Sequence, residues 1–379
     1  MRTDLPAAML QPVDELDLYN LKRTLERVNE TLDVARATMD PSFLLHARRE
    51  LFPLPLIDRQ HRIEAKGVFP PFTSRPAKAL QDKQVGVLCS GGGGACIASV
   101  GAARALEEAG IEPALITACS GGAIWGSMWA SGMSAHDMAE FSLAWRATDY
   151  LDVQWAKAPR FVLSALRGFT GLAKGEAIEH LFDSALLDLK VGETPTPFAS
   201  IVYNMDLGEI DFFGSERTPE LTIGQLVRVA IALPLFIESV RIGDHLYVDG
   251  GIVDVFPCGP FIEDGGFDHV FGLNFMLPPR LEPYDITGWE QHPMGILKGS
   301  RQLEQGYHLE LARRSQRALG DTLTVIDPVD YSLLRGVSFY DLFIDRRRWP
   351  EIMHSGYEAM TEALKPFRRA RRPAPAAAK

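Results

Sequence analysis

A serine set among small residues, a run of four glycines, and an aspartate followed by two more glycines are the residues here whose types and spacing could do chemistry. Ala118-Cys119-Ser120-Gly121-Gly122 lies between a β-prone run and a helix-compatible one. That context suits a nucleophile elbow, where a strained strand-to-helix turn presents a hydroxyl at the carboxyl edge of a sheet, with a helix N-terminus behind it. Small neighbours are needed because the backbone turns sharply, and Ala118 stands where such motifs usually carry their first glycine. The same pentapeptide also suits an ordinary structural turn. Consecutive amides in Gly91 to Gly94, freed of Cβ atoms, can turn inward as an anion-binding nest ahead of the next helix. An oxyanion hole built from Gly92, Gly93 or Gly94 is one reading of that run, and a merely flexible loop is the other. A nucleotide loop fits less well. There is no Gly-Lys-Ser/Thr, and the second strand ends in Cys119-Ser120 where a dinucleotide site needs an acid. Leu246 to Gly251 reads as a strand ending in Asp249, with Gly250-Gly251 after it, a pattern that is ordinarily a turn.

The elements that must position these residues alternate. Val85 to Leu88 reads as a strand, Ala95 to Ala109 as a helix closed by Gly110, Ala114 to Ala118 as a second strand and Ala123 to Ala130 as a second helix. Two strand-turn-helix units in succession imply a parallel sheet, because the intervening helix must cross over. Further strands are expected at Ile201 to Met205, Glu209 to Phe213, Leu246 to Val248, Val270 to Phe275 and Leu323 to Ile326. The serine, the glycine cluster and Asp249 are thus all expected at carboxyl ends of parallel strands, the edge where α/β folds assemble their sites.

The expected fold class is α/β, a three-layer α/β/α sandwich with a mostly parallel central sheet plus a helical N-terminal extension. Residues 1–80 form that extension: Leu16, Leu18, Leu21, Leu25, Val28 and Leu32 mark an amphipathic helix, and Pro53, Pro55, Pro70, Pro71 and Pro76 mark a linker or a surface-hugging arm. Residues 81–330 form the α/β domain, 331–366 a C-terminal helical segment, and 367–379 a basic disordered tail with Arg368, Arg369, Arg371 and Arg372.

Together these motifs resemble the patatin-like phospholipases, serine acyl hydrolases with a Ser-Asp dyad. The resemblance covers roughly residues 84 to 260. Ser90 to Gly94 matches the family's oxyanion loop, Gly101 a glycine in the following helix, and Ala118 to Gly122 its nucleophile motif. Ala232-Leu233-Pro234-Leu235-Phe236, then Tyr247 to Gly251 and Pro257, match the approach to its catalytic aspartate. The resemblance implies Ser120 as nucleophile, Asp249 as base, oxyanion donors at Gly92, Gly93 and Gly94, and no metal or cofactor. Where the family usually carries a basic residue followed by glycine, this chain has Ala95-Cys96, which removes a positive charge beside the hole.

The activity so implied is a lipid acyl hydrolase of phospholipase A, lysophospholipase or carboxylesterase type. An acyltransferase or thioesterase with the same dyad, or a non-catalytic lipid-binding protein, are the alternatives. A carboxylate with a reference pKa of about 3.9 is a poor base for serine unless its site is partly desolvated. A histidine triad is disfavoured, since His245 lies two steps before Asp249 on the same side of the strand and is not placed as an intermediary. Phe161, Val162, Leu163, Leu166, Phe169 and Leu172 would suit an acyl groove or plain core, and residues 276–298 a lid or an irregular cover.

Composition bounds the rest. Over 379 residues, 46% are hydrophobic and 23% charged, as in soluble globular chains. Thirty-nine Lys and Arg against 49 Asp and Glu leave a net charge of -10, which excludes broad nucleic-acid binding. Cys89, Cys96, Cys119 and Cys258 lack zinc-site spacing and read as reduced thiols. Residues 1–18 lack the basic start and apolar run of a signal peptide, so a cytoplasmic location is expected, with a transient membrane-surface contact left open and the oligomeric state unread.

Overall fold

The computed structural model describes residues 67–153, 171–282, 295–334, 342 and 346–368. The expected N-terminal helix, the segment 161–169, residues 283–294 of the expected cover and the tail from 369 on lie outside them.

The strands are β1 (Val85–Cys89), β2 (Leu115–Ala118), β3 (Gly171–Ala173), β4 (Phe198–Asn204), β5 (Glu209–Gly214), β6 (Leu235–Ile237), β7 (Val240–Ile242), β8 (His245–Asp249), β9 (His269–Leu273) and β10 (Leu323–Ile326). Eight of them form one sheet, in the order β10-β9-β1-β2-β4-β8-β7 with β5 also on β4; β3 and β6 pair separately. The ladders β10–β9, β9–β1, β1–β2 and β2–β4 are parallel, as the two successive strand-turn-helix units require.

One expectation is corrected. The strand carrying Asp249 is not parallel: β8 runs antiparallel to β4. Alternation of side chains identifies a strand but not its direction, and here the direction follows from the β7–β8 hairpin that folds the chain back. β5 occupies one edge of β4 from Ala199 to Asn204, so β2 and β8 share the other edge. Ala118 pairs with Ser200 and Asp249 with Val202, which leaves only Ile201 between the two ladders. β2 and β8 therefore meet with their carboxyl ends facing.

The helices of six residues or more among the described residues are α1 (Ala98–Ala109), α2 (Gly121–Ala130), α3 (Ala135–Ala144), α4 (Glu176–Leu186), α5 (Ile223–Ala230), α6 (Gly259–Asp264), α7 (Gly295–Leu319) and α8 (Trp349–Ala363). Alternate side chains of β1 feed two separate cores, which is what makes the fold three-layered. Val85, Val87 and Cys89 join the larger core with α1 to α5 and α8, while Leu88 joins Phe261 of α6 and Leu309 and Ala312 of α7 on the other face. Local signals set the boundaries. Gly110 ends α1 in a left-handed conformation (φ 67°), and α5 opens on a capping box, Thr222 with Gln225. α8 lies against α1 at backbone distance, since a Cβ on Gly101 would sit 1.8 Å from the Met353 carbonyl oxygen and one on Gly356 would sit 2.0 Å from that of Ala98. The end of the proline-rich stretch is an arm on α1: Arg75 N–H donates to Glu108 O (2.6 Å) and Ala77 N–H to Ala109 O (3.0 Å).

Candidate active site

β2 ends at Ala118 and the chain turns within two residues. Ser120 adopts φ 50° and ψ −127°, a conformation costly for any residue with a Cβ. Cys119 N–H donates to Cys89 O (3.0 Å) below the turn, and Ala123 N–H to Ser120 O (2.8 Å) opens α2 above it. A Cβ on Gly121 would fall 2.4 Å from Gly93 O, and one on Gly122 would fall 2.4 Å from Cys89 O. The turn and the glycine run thus pack backbone against backbone, which only glycine permits. Ser120 stays partly open to solvent.

The glycine run follows β1 and is pinned from its start. Buried Ser90 accepts from Phe275 N–H (2.8 Å) and donates to Gly91 O (3.1 Å) through its hydroxyl. Gly91 N–H is committed to Val255 O (2.8 Å), and Ala95 N–H to Gly92 O (3.2 Å). Among the described residues the amides of Gly92, Gly93 and Gly94 have no backbone acceptor, and the same holds for Gly121, the residue after the serine. Gly121 is not among the donors expected from the sequence, although its place directly after the elbow serine is the local signal for one. Ala95 and Cys96 are fully buried, and Cys96 Sγ lies 3.4 Å from Ser90 O, so a thiol and a methyl fill the space beneath the loop.

Asp249 is 1% exposed. Its backbone N–H donates to Ala232 O (3.1 Å), which explains why the Ala232 to Phe236 stretch accompanies it. Oδ1 accepts from Gly251 N–H at 2.8 Å and lies 4.0 Å from Cys119 Sγ. The Ser120 hydroxyl is near enough to draw the carboxyl's pKa down, yet Oδ2 remains buried with no partner at full hydrogen-bond geometry among the described residues. Such contacts are commonly long before substrate binds. Burial outweighs the Ser120 and Gly251 contacts and pushes the Asp249 pKa up to about 6. Burial likewise holds the Cys119 thiol well above its ordinary range, so it faces the carboxylate as neutral S–H.

The structure therefore brings Ser120, Asp249 and the glycine run to one edge. His245 starts β8 at its far end, four residues from Asp249 and about 13 Å along an extended strand. Among the described residues no group of three or more His, Cys, Asp or Glu converges as a metal site would require, and no helix is long and apolar enough to cross a membrane. All four cysteines are buried and free.

The family model described as patatin-like phospholipase matches residues 87–262. An uncharacterized NTE family protein of Mycobacterium tuberculosis strain H37Rv is 26% identical over 196 residues, covering 50% of this chain and 30% of that protein. A second from the same strain is 25% identical over 182 residues, covering 47% and 45%. The chain thus spans less than half the length of these relatives. Among solved structures, VipD from Legionella pneumophila aligns with a TM-score of 0.44 and 15% identity over 75% of this chain and 67% of that one. ExoU from Pseudomonas aeruginosa, in complex with SpcU, aligns at 0.39 and 16% over 78% and 54%.

Proposed function

The chain carries a patatin-like phospholipase domain over residues 87–262, and from that premise we propose that it is a serine-dependent lipid acyl hydrolase working through an acyl-Ser120 intermediate with Asp249 as base. The observation that carries this reading is a strained, partly exposed serine beside a buried carboxylate whose pKa stands near 6. A carboxylate at the ordinary value would be too weak a base, and burial narrows that gap.

In the proposed cycle Asp249 Oδ2, the oxygen not engaged by Gly251, takes the Ser120 proton as Oγ attacks the ester carbonyl carbon. The carbonyl π-pair moves onto oxygen, and the uncommitted amides of Gly92, Gly93, Gly94 and Gly121 receive that charge; one such donor is worth about 10²- to 10³-fold in rate. As the tetrahedral adduct collapses, the ester C–O bond breaks and Asp249 returns its proton to the departing alcohol. Water then gives a proton to the same carboxylate and attacks the acyl-enzyme. As this second adduct collapses, the acyl C–Oγ bond breaks, Asp249 returns the proton to Ser120 Oγ and the fatty acid leaves. Throughout, the N-terminus of α2 behind Ser120 favours negative charge at the reacting carbon's oxygen.

The test is covalent. A fluorophosphonate probe is expected to label the native protein and leave Ser120→Ala unmarked, and p-nitrophenyl esters of increasing chain length, with phospholipid and lysophospholipid, give the acyl and headgroup preference. Equal labelling of both proteins removes Ser120 from the role. Capture of the acyl group by an added alcohol or thiol faster than by water reassigns the protein as a transferase.

A further inference from the structure

The wall that carries Asp249 continues past the site. β4 pairs with β2 at Ser200 and with Asp249 at Val202, then runs on to Asn204 before turning into β5. The β4–β5 turn therefore stands about 10 Å beyond the level of the carboxylate, at the carboxyl end of β4. Between exposed Asp206, Gly208 and Glu209 the turn and the start of β5 present three apolar side chains to solvent. Met205, Leu207 and Ile210 are 49%, 57% and 43% exposed.

They are also held out rather than loose. Asn204 Oδ1 accepts from the N–H groups of Asp206 and Leu207 (3.1 Å each), and Gly208 N–H donates to Asn204 O (2.9 Å) with Gly208 at φ 72°. Met205 N–H donates to Leu246 O (2.8 Å), and Leu246 N–H returns a bond to Asp206 Oδ2 (2.7 Å). That last contact ties the nearest carboxylate, itself on the surface, to the backbone of β8. These bonds fix the backbone of the turn with the three apolar side chains open to solvent.

We propose that this hairpin tip, Met205, Leu207 and Ile210, is the contact by which the protein docks on a zwitterionic or uncharged lipid surface. Three half-exposed side chains fall well short of the roughly 800 Å² per partner that a stable protein interface needs, whereas insertion at a lipid boundary asks only for a few apolar groups. Residues 204–210 hold Asp206 and Glu209 and no lysine or arginine, and Asp244 lies in the neighbouring β7–β8 turn with Arg241 bonded to its carbonyl oxygen (2.8 Å). An anionic surface is therefore repelled, and the headgroup class follows from that sign. The purpose of the contact rests on the lipid acyl hydrolase reading; the contact itself stands on exposure, bracing and charge.

The experiment is flotation of the full chain with phosphatidylcholine vesicles, with and without phosphatidylglycerol, for the native protein, the double variant Met205→Glu/Leu207→Glu, the conservative Met205→Leu/Leu207→Met and Ser120→Ala. Native, conservative and Ser120→Ala proteins are expected to float alike, the double glutamate variant to lose at least about tenfold in binding, and phosphatidylglycerol to weaken binding. The double variant is expected to hydrolyse a monomeric short-chain p-nitrophenyl ester at the native rate and to fall behind on vesicles. The proposal is overturned by native protein that fails to float, by undiminished flotation of the double variant, or by binding that grows with phosphatidylglycerol, which would point to the basic tail. It is also overturned if the double variant changes oligomeric state instead. Hairpin-dependent flotation by a protein that hydrolyses no ester would leave the docking surface standing and end the hydrolase reading.

Discussion

Ser120 and Asp249 close the facing ends of two strands that share a single edge of β4. β2 arrives along that edge parallel to β4 and stops at Ser200; β8 arrives from the opposite direction and stops at Val202. Neither strand could supply both groups, and no loop has to reach across to join them. Precision comes from the ladder itself, because register along a buried strand is strongly specified.

Asp249→Asn is expected to abolish ester turnover and to stabilise the fold at neutral pH. The carboxyl's pKa is about 6 in the folded protein, raised by burial from an ordinary value of 3.8, so the native state binds more protons than the unfolded chain between roughly pH 4 and 6. Stability therefore falls as pH rises through that window, and above it the ionised carboxylate costs up to about 3 kcal/mol. Urea melts at pH 4 and pH 8 check this: the variant's advantage should be present at pH 8 and absent at pH 4. For the native enzyme, kcat/KM should rise through about pH 6 to a plateau.

Ser120→Gly should be inactive yet more stable than Ser120→Ala, by about 1 kcal/mol, because glycine adopts φ 50° without a Cβ penalty while alanine retains it. Equal melting temperatures for the two variants would show that the turn stores no strain.

Gly121→Ala places a methyl 2.4 Å from Gly93 O, a backbone atom that cannot swing aside. The glycine run must shift, and kcat should fall about 10²-fold or more as its donors leave the oxyanion. Gly126→Ala is the control in the same helix: its nearest neighbours are side-chain atoms at 3.3 to 3.6 Å, so near-native activity is expected.

Cys119 tests the carboxylate from its other side. Its neutral thiol lies 4.0 Å from Oδ1, a weak donor to the ionised form. Cys119→Ala should move the kcat/KM midpoint upward, and Cys119→Ser, with a stronger donor, should move it downward. A midpoint that stays put in both variants assigns the thiol to packing alone.

In the first turn of α1, Gly101→Ala should cost about 1 to 3 kcal/mol in urea unfolding, since its methyl would meet the Met353 carbonyl oxygen at 1.8 Å. An unchanged midpoint would mean that α8 is free to move off α1.

The short apolar runs bounded by glycine made β1 and β2 legible, and the crossover rule made their parallel pairing so. Ser120 and Asp249 were legible as types because a small-residue elbow and an acid followed by two glycines are local patterns. What lies between them was not. The direction of β8 depends on a hairpin whose sheet partner is β4, and strand periodicity carries no sign. The elevated pKa of Asp249 is a burial effect of the folded domain, with no trace in the residues flanking position 249. The seat of α8 on α1 needs Gly101 and Gly356 read as a pair, although they lie far apart in the chain.

Ile201 is the sole residue that β4 places between its pairing with the strand that leads to Ser120 and its pairing with the strand that carries Asp249. It works as the pitch of a ruler: one residue inserted or removed there would slide the carboxylate about 3.3 Å along the sheet and turn successive side chains to the opposite face. The gap between hydroxyl and carboxylate is in this way metered by a strand that contributes neither group, and loops elsewhere on the domain are at liberty to lengthen or shrink while that distance is kept.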